Sequence, residues 1–208
     1  MRSIDLIVIH CSATPNGVWI SPEQFDRWHA ERGFRRQPAA VVAHRPTLPH
    51  IGYHWVITVD GTAWPCRGLD EVGAHARGYN ASSIGICMVG TDAYFLRQWE
   101  ALHQLVATAA YGVQDRAGLR ESFPVSARRA LEILAARGVR VVGHRDLSPD
   151  ADGDGVVEPH EWLKTCPGFD VASWLERGME PEPRRVLDEH PTIALAKGPD
   201  RVMVRRAA

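Results

Sequence analysis

Three short runs constrain this chain most: Leu6 to Ile9, Ser83 to Val89 and Val139 to Val142 are rich in aliphatic, largely β-branched residues without polar alternation. A strand with one wet face alternates apolar and polar, so runs like these read as strands buried inside a sheet. Helices must then cover the faces. Ser21-Pro22-Glu23-Gln24 supplies an N-cap serine, a proline at the first helical position and a capping-box glutamine, with Phe25 and Trp28 on one face and Gly33 as the stop. Trp99, Leu102, Leu105, Val106, Ala109 and Val113 recur at helical spacing, as do Ala130, Leu131, Leu134 and Ala135 before Gly138. Asp170 to Gly178 reads as a last capped helix. Between these, His54 to Val59, Asp60-Gly61 and Thr62 to Trp64 form a hairpin signal. The order implies an α/β fold, a single domain with a mixed central sheet flanked by helices.

Residues 35–50 carry three prolines and no sustained period, which predicts a long surface loop beside a groove. The sheet-and-helix pattern ends at Gly178, and Glu-Pro-Glu-Pro-Arg-Arg then predicts an extended tail over 179–208, with Arg201, Arg205 and Arg206 solvated near its end. With 24 basic and 25 acidic residues there is no global field to draw the protein to nucleic acid or an anionic membrane. The first apolar run is too short for a signal peptide, so a cytoplasmic site of synthesis is expected. Cys11, Cys66, Cys87 and Cys166 are then expected as reduced thiols or metal ligands.

Two strands end in histidine, His10 and His144, and Cys166 follows the second after a short polar segment. Two imidazoles and a thiolate make a zinc set with a fourth tetrahedral position open to water. Strand alternation separates His10 from Cys11 and Tyr53 from His54. If His10 faces a metal, Cys11 faces the core, but geometry alone leaves either member of each pair open. His29 and His103 lie in helices with no matching motif and read as structural or exposed.

Val-Ile-His10-Cys-Ser-Ala-Thr, Ile-Gly-Tyr53-His-Trp-Val-Ile, Gly-Ala-His75-Ala-Arg-Gly-Tyr-Asn, Ser-Ile-Gly-Ile-Cys-Met-Val-Gly, Gly-His144-Arg-Asp and Lys164-Thr-Cys166-Pro-Gly-Phe-Asp follow one another in this order. Together, from Ile4 to about Leu175, they resemble the type 2 N-acetylmuramoyl-L-alanine amidase family, and most of all its phage endolysin branch. Peptidoglycan recognition proteins are more distant relatives with the same fold. The resemblance implies a zinc enzyme that cuts the amide between the lactyl group of N-acetylmuramic acid and L-alanine in peptidoglycan. It implies His10, His144 and Cys166 as zinc ligands and Tyr53 and Lys164 as the catalytic pair. His75 is expected to line the substrate groove or to make a structural hydrogen bond.

Two other readings compete. A non-catalytic peptidoglycan binder of this fold would have lost metal ligands, whereas all three and Lys164 are present. A cytosolic muropeptide-recycling amidase would carry an acidic third ligand where Cys166 stands. A lytic enzyme made in the cytoplasm implies a separate membrane-permeabilising protein to reach the wall. Finally, the segment from Asp150 to Glu161 fits a calcium loop, with Asp150, Asp152, Asp154, the Val156 carbonyl and Glu161 as ligands and Gly155 at the sharp turn. A structural Ca2+ is therefore expected there, with an exiting helix starting at Pro159.

Overall fold

The computed structural model describes residues 2–112 and 126–188; the expected core position Val113 and the three tail arginines lie outside them. β1 (Leu6–Cys11) runs parallel to β4 (Ser83–Met88) on one side and to β6 (Arg140–Gly143) on the other. β2 (Trp55–Ile57) pairs in parallel with β4, and β3 (Ala63–Pro65) closes the sheet antiparallel to β2. The order β3-β2-β4-β1-β6 is the expected mixed sheet. All six residues of both β1 and β4 are buried, which explains their lack of polar alternation, whereas β6, expected to be buried too, is an edge strand with Arg140 exposed and Val141 and Val142 half-buried.

Alternate residues of these strands feed two cores. Ile7, Ile9, Ile84, Ile86 and Met88 pack with Leu102 and Val106 of α3 (Leu96–Gly112), Leu134 of α4 (Ala127–Ala136) and Trp174 of α5 (Val171–Glu176). Truncating one of these aliphatic side chains to Ala would cost about 2–5 kcal/mol. The opposite face carries Cys87 and Val89 against Phe25 of α1 (Pro22–Glu31). Ser21 caps α1 by accepting from the Gln24 backbone at 3.3 Å. The Gln24 side chain accepts instead from Arg27 at 2.6 Å, so it adds an i,i+3 pair on the helix surface.

Several local expectations are corrected. The 35–50 segment contains a helix, α2 (Pro38–Ala43), that lacks a side-chain cap. Arg36 gathers the segment instead: its guanidinium donates to the Ala40 carbonyl of α2 at 3.4 Å and to the His44, Arg45 and Leu48 carbonyls beyond it, and pairs with Glu71 at 2.8 Å. Arg67 joins the same buried carboxylate at 3.3 Å, which leaves Glu71 between two cations. The first hairpin strand is shorter than expected and the second is shifted by one residue, because Asp60 Oδ1 accepts from both Thr58 Oγ1 and the Thr62 backbone, folding those residues into the turn.

Residues 179–188, expected as the start of an extended tail, pack against the domain. Met179 is buried, and β7 (Val186–Leu187) pairs in parallel with β5 (Tyr94–Phe95). Arg185 donates to Asp92 at 3.2 Å and its carbonyl accepts from Trp99 Nε1 at 3.2 Å. These partners are distant in sequence, so the local Pro-Glu pattern could not announce them. No helix among the described residues is long and apolar enough to cross a membrane.

Candidate metal centre and groove

The register of β1 on β4 sets Val8 beside Gly85 and His10 beside Cys87, on the face opposite Ile9. His10 thus leaves the C-terminal end of the central strand almost fully buried, at 1% exposure. Cys11, one residue on, lies in the core with Ile7 and Ile9. β6 ends at Gly143, and His144 opens the short helical turn that follows it. Cys166 is brought back by main-chain pairing, since the Arg145 N–H donates to the Cys166 carbonyl at 2.8 Å. Arg145 also stacks over Trp162 at 4.0 Å and bonds Asp170 at 2.7 Å, which ties the His144 and Cys166 segments to α5.

One ligand atom each from His10, His144 and Cys166 lies within 4.8 Å of the others. Cys166 Sγ stands 3.8 Å from His10 Nδ1. Zinc bound to both at ordinary lengths and a tetrahedral angle would set them about 3.5 Å apart, so this donor set fits zinc with a small contraction. Protonation states fit as well. Burial, then the neighbouring His75, His144 and Lys164, keeps the His10 pKa well below its ordinary value. Burial and Lys164 push His144 down to about 4, so both imidazoles offer lone pairs at neutral pH. Hydrogen bonding with Cys11 and burial hold the Cys166 thiol up, so metal binding there would release its proton.

Tyr53 lies beside the centre, its ring 5.1 Å from that of His10. Burial, with the Cys87 and Cys166 thiols nearby, raises its phenol pKa, so it stays a protonated donor. The approach to Tyr53 is fixed by two residues that sequence reasoning did not assign to the site. Asp26 accepts from the backbone of His50 and Ile51 at 2.6 and 2.7 Å, and His29 Nδ1 accepts from Gly52 at 2.9 Å. His54 points the other way and is wholly buried.

A groove of about 480 Å³ opens beside His144, with Phe34, His75, Tyr79, Leu163 and Lys164 also among its lining residues. Phe34 lines the groove but none of residues 35–50 does, contrary to expectation; that segment is closed on itself by Arg36 donating to the His44 carbonyl at 2.8 Å. Tyr79 and Leu163 are exposed apolar side chains on this rim. Asn80 holds the His75 segment by accepting from the His75 and Ala76 backbone at 2.9 Å each.

A family profile described as N-acetylmuramoyl-L-alanine amidase matches residues 1–169. The chain belongs to that amidase family. Relatives agree with this membership. An endolysin of Escherichia phage T7 is 26% identical over 182 residues, covering 85% of this chain and 88% of that one. An uncharacterised Haemophilus influenzae protein is 37% identical over 126 residues, 57% of this chain and 89% of its own. Among solved structures, the amidase LysC from Clostridium intestinale superposes with a TM-score of 0.51 at 22% identity, covering 85% of each chain. Bumblebee PGRP-SA reaches 0.54 at 19% identity over 88% of this chain and 86% of that one. These two show the amidase and recognition-protein fold.

The acidic segment forms a closed excursion between His144 and Cys166. Its neck is shut by the Leu163 N–H donating to Ser148 Oγ at 3.1 Å. Asp150, Asp152 and Asp154 bring oxygens within 4.8 Å of one another, and Asp152 is shared with a second cluster of Glu158, His160 and Glu161. The expected exiting helix at Pro159 is absent; residues 159–161 form a turn closed by Glu161 N–H to the Glu158 carbonyl at 2.9 Å. The Glu161 carboxylate accepts from the Glu158 and Asp152 backbone at 3.0 and 3.3 Å, which folds this stretch back onto the loop instead of into a helix.

Proposed function

We propose that this protein is a zinc-dependent amidase of the phage endolysin type, hydrolysing the amide between the lactyl group of N-acetylmuramic acid and L-alanine in peptidoglycan. The convergence of His10, His144 and Cys166, with His144 lining an open groove, carries this reading. Zinc, when bound, supplies Lewis acidity toward the amide carbonyl and makes water a competent nucleophile near neutral pH. The protein's own groups do the rest. Tyr79 and Leu163 give the groove apolar contacts for the substrate, and Lys164 sits on the same wall as His144. As the carbonyl carbon becomes tetrahedral, the Lys164 ammonium offsets the charge growing on its oxygen. The Tyr53 phenol, held protonated beside His10, is the second donor for that oxygen. Because the T7 relative is an endolysin, we place the enzyme in wall lysis, with a separate membrane-permeabilising protein giving it access to the wall.

Metal analysis together with clearing of purified peptidoglycan tests the reading. Wild-type protein should carry one zinc and clear the wall suspension, chelator should stop clearing, and Cys166→Ala should lose both metal and activity. Full zinc content in Cys166→Ala would remove that thiol from the ligand set.

For the acidic loop we propose a structural Ca2+ held by Asp150, Asp152, Asp154, the Val156 carbonyl and Glu161. Support comes from the Gly155 N–H donating to Asp150 Oδ2 at 2.8 Å and from Gly155 at φ +91°, a turn that an L side chain rarely adopts. Glu161 is buried and turned inward, accepting from Asp152 and Glu158 backbone at 3.3 and 3.0 Å.

A further inference from the structure

His75 has a second face that lining a groove does not explain. Its Nδ1 lies 3.1 Å from His10 Nε2, while the other His10 nitrogen, Nδ1, is the one facing Cys166. Two lone pairs cannot meet at that distance, so a proton must sit between the rings, and a neutral imidazole has only one to place. A metal on His10 Nδ1 leaves that proton on Nε2, which makes His10 the donor and His75 Nδ1 the acceptor. The His75 proton is then on Nε2, where Ser83 Oγ waits at 3.4 Å.

The fold is built around this ring. A Cβ on Gly85 would stand 2.5 Å from His75 Cγ, and one on Gly73 would stand 2.5 Å from His75 Cδ2. Bare backbone on both sides is thus what lets the imidazole reach His10. Gly85 also donates its N–H to His54 Nδ1 at 3.0 Å, so the strand under His75 is itself fixed. Its main chain is pinned from the other side by Asn80. A histidine that only touched substrate from the groove wall would need neither the two glycines nor a ring nitrogen aimed at His10.

We propose that His75 is a positioning residue that accepts the His10 Nε2 proton, fixing the tautomer and orientation in which His10 Nδ1 holds the metal. The proposal rests on the zinc reading of His10, His144 and Cys166. Partners of metal-bound histidines usually contribute about 10–100-fold in metal affinity or activity. Here a neutral imidazole takes the place of the usual carboxylate or carbonyl.

Zinc affinity measured by competition with a chromophoric chelator tests this on His75→Leu and His75→Asn. Leucine fills space without accepting, whereas the asparagine amide oxygen falls near the position of Nδ1. His75→Leu should bind zinc about 10–100-fold more weakly, and His75→Asn should recover most of that loss. Unchanged affinity in His75→Leu, or equal losses in both variants, would overturn the proposal. A second measurement needs no variant: nitrogen NMR of the zinc-loaded wild type should find protons on Nε2 of both His10 and His75. A proton on His75 Nδ1 would overturn it as well. Wild-type protein that bound no zinc would instead overturn the metal assignment beneath it.

Discussion

His54 should make the stability of this protein fall in mild acid by an amount that one substitution removes. The ring is fully buried, with Nδ1 accepting from Gly85 at 3.0 Å and Nε2 lying 2.9 Å from both the Glu71 carbonyl and the Arg2 guanidinium. Burial pushes its pKa down to about 3, against about 6.5 in an unfolded chain. With the folded value depressed, the unfolded chain takes up the proton first. Stability from the neutral ring is therefore whole above about pH 6.5 and is lost progressively as pH falls toward 3. Between pH 7.5 and pH 5 this ring alone removes about 2 kcal/mol, because each pH step below the unfolded pKa is worth about 1.4 kcal/mol. His54→Gln cannot titrate. At pH 7.5 it should be less stable by about 1–3 kcal/mol, since the Gly85 N–H loses its acceptor. By pH 5 that gap should close by about 2 kcal/mol, while His29, with its pKa near 4, titrates alike in both proteins and cancels. Denaturant unfolding at the two pH values, in chelator so that metal loss plays no part, measures the gap. Parallel pH dependence in the two proteins would refute the buried neutral ring.

Lys164→Ala and Tyr53→Phe should keep zinc and bind muropeptide nearly as wild type while losing about 10²–10³ in turnover, as expected for groups that act on developing charge. Near-normal turnover in either variant would remove its role. Calcium should raise the thermal midpoint of zinc-loaded wild type by mass action and leave an Asp152→Ala, Asp154→Ala double variant unmoved. Because Ser148 and Leu163 already close the loop's neck, the zinc affinity of the two proteins should be the same. Equal calcium responses in calorimetric titration would leave a merely solvated loop.

The central strands were legible because their signals are local, and the three converging candidate ligands because their motifs resemble those of a known family. Unbroken apolar runs mark β1 and β4, and a histidine at a strand end or a cysteine before proline is visible without its partners. Other features depend on contacts the sequence does not place. α2 has six residues and no amphipathic period, and Arg36, Glu71 and Arg67 hold its surroundings from outside. β5 and β7 are two residues each and exist only through pairing with each other. The link from His75 to His10 spans 65 positions, and its only trace in the chain is glycine at 73 and 85, where a side chain would strike the ring.

Mass analysis of the ends released from purified peptidoglycan tests the central claim most directly. The account predicts a free lactyl carboxylate on N-acetylmuramic acid and a new L-alanine amino terminus, appearing with wild-type, zinc-loaded protein and not after chelation. Intact lactyl–alanine amides in a wall that the zinc-loaded protein nevertheless solubilises, or no released ends at all, would contradict it.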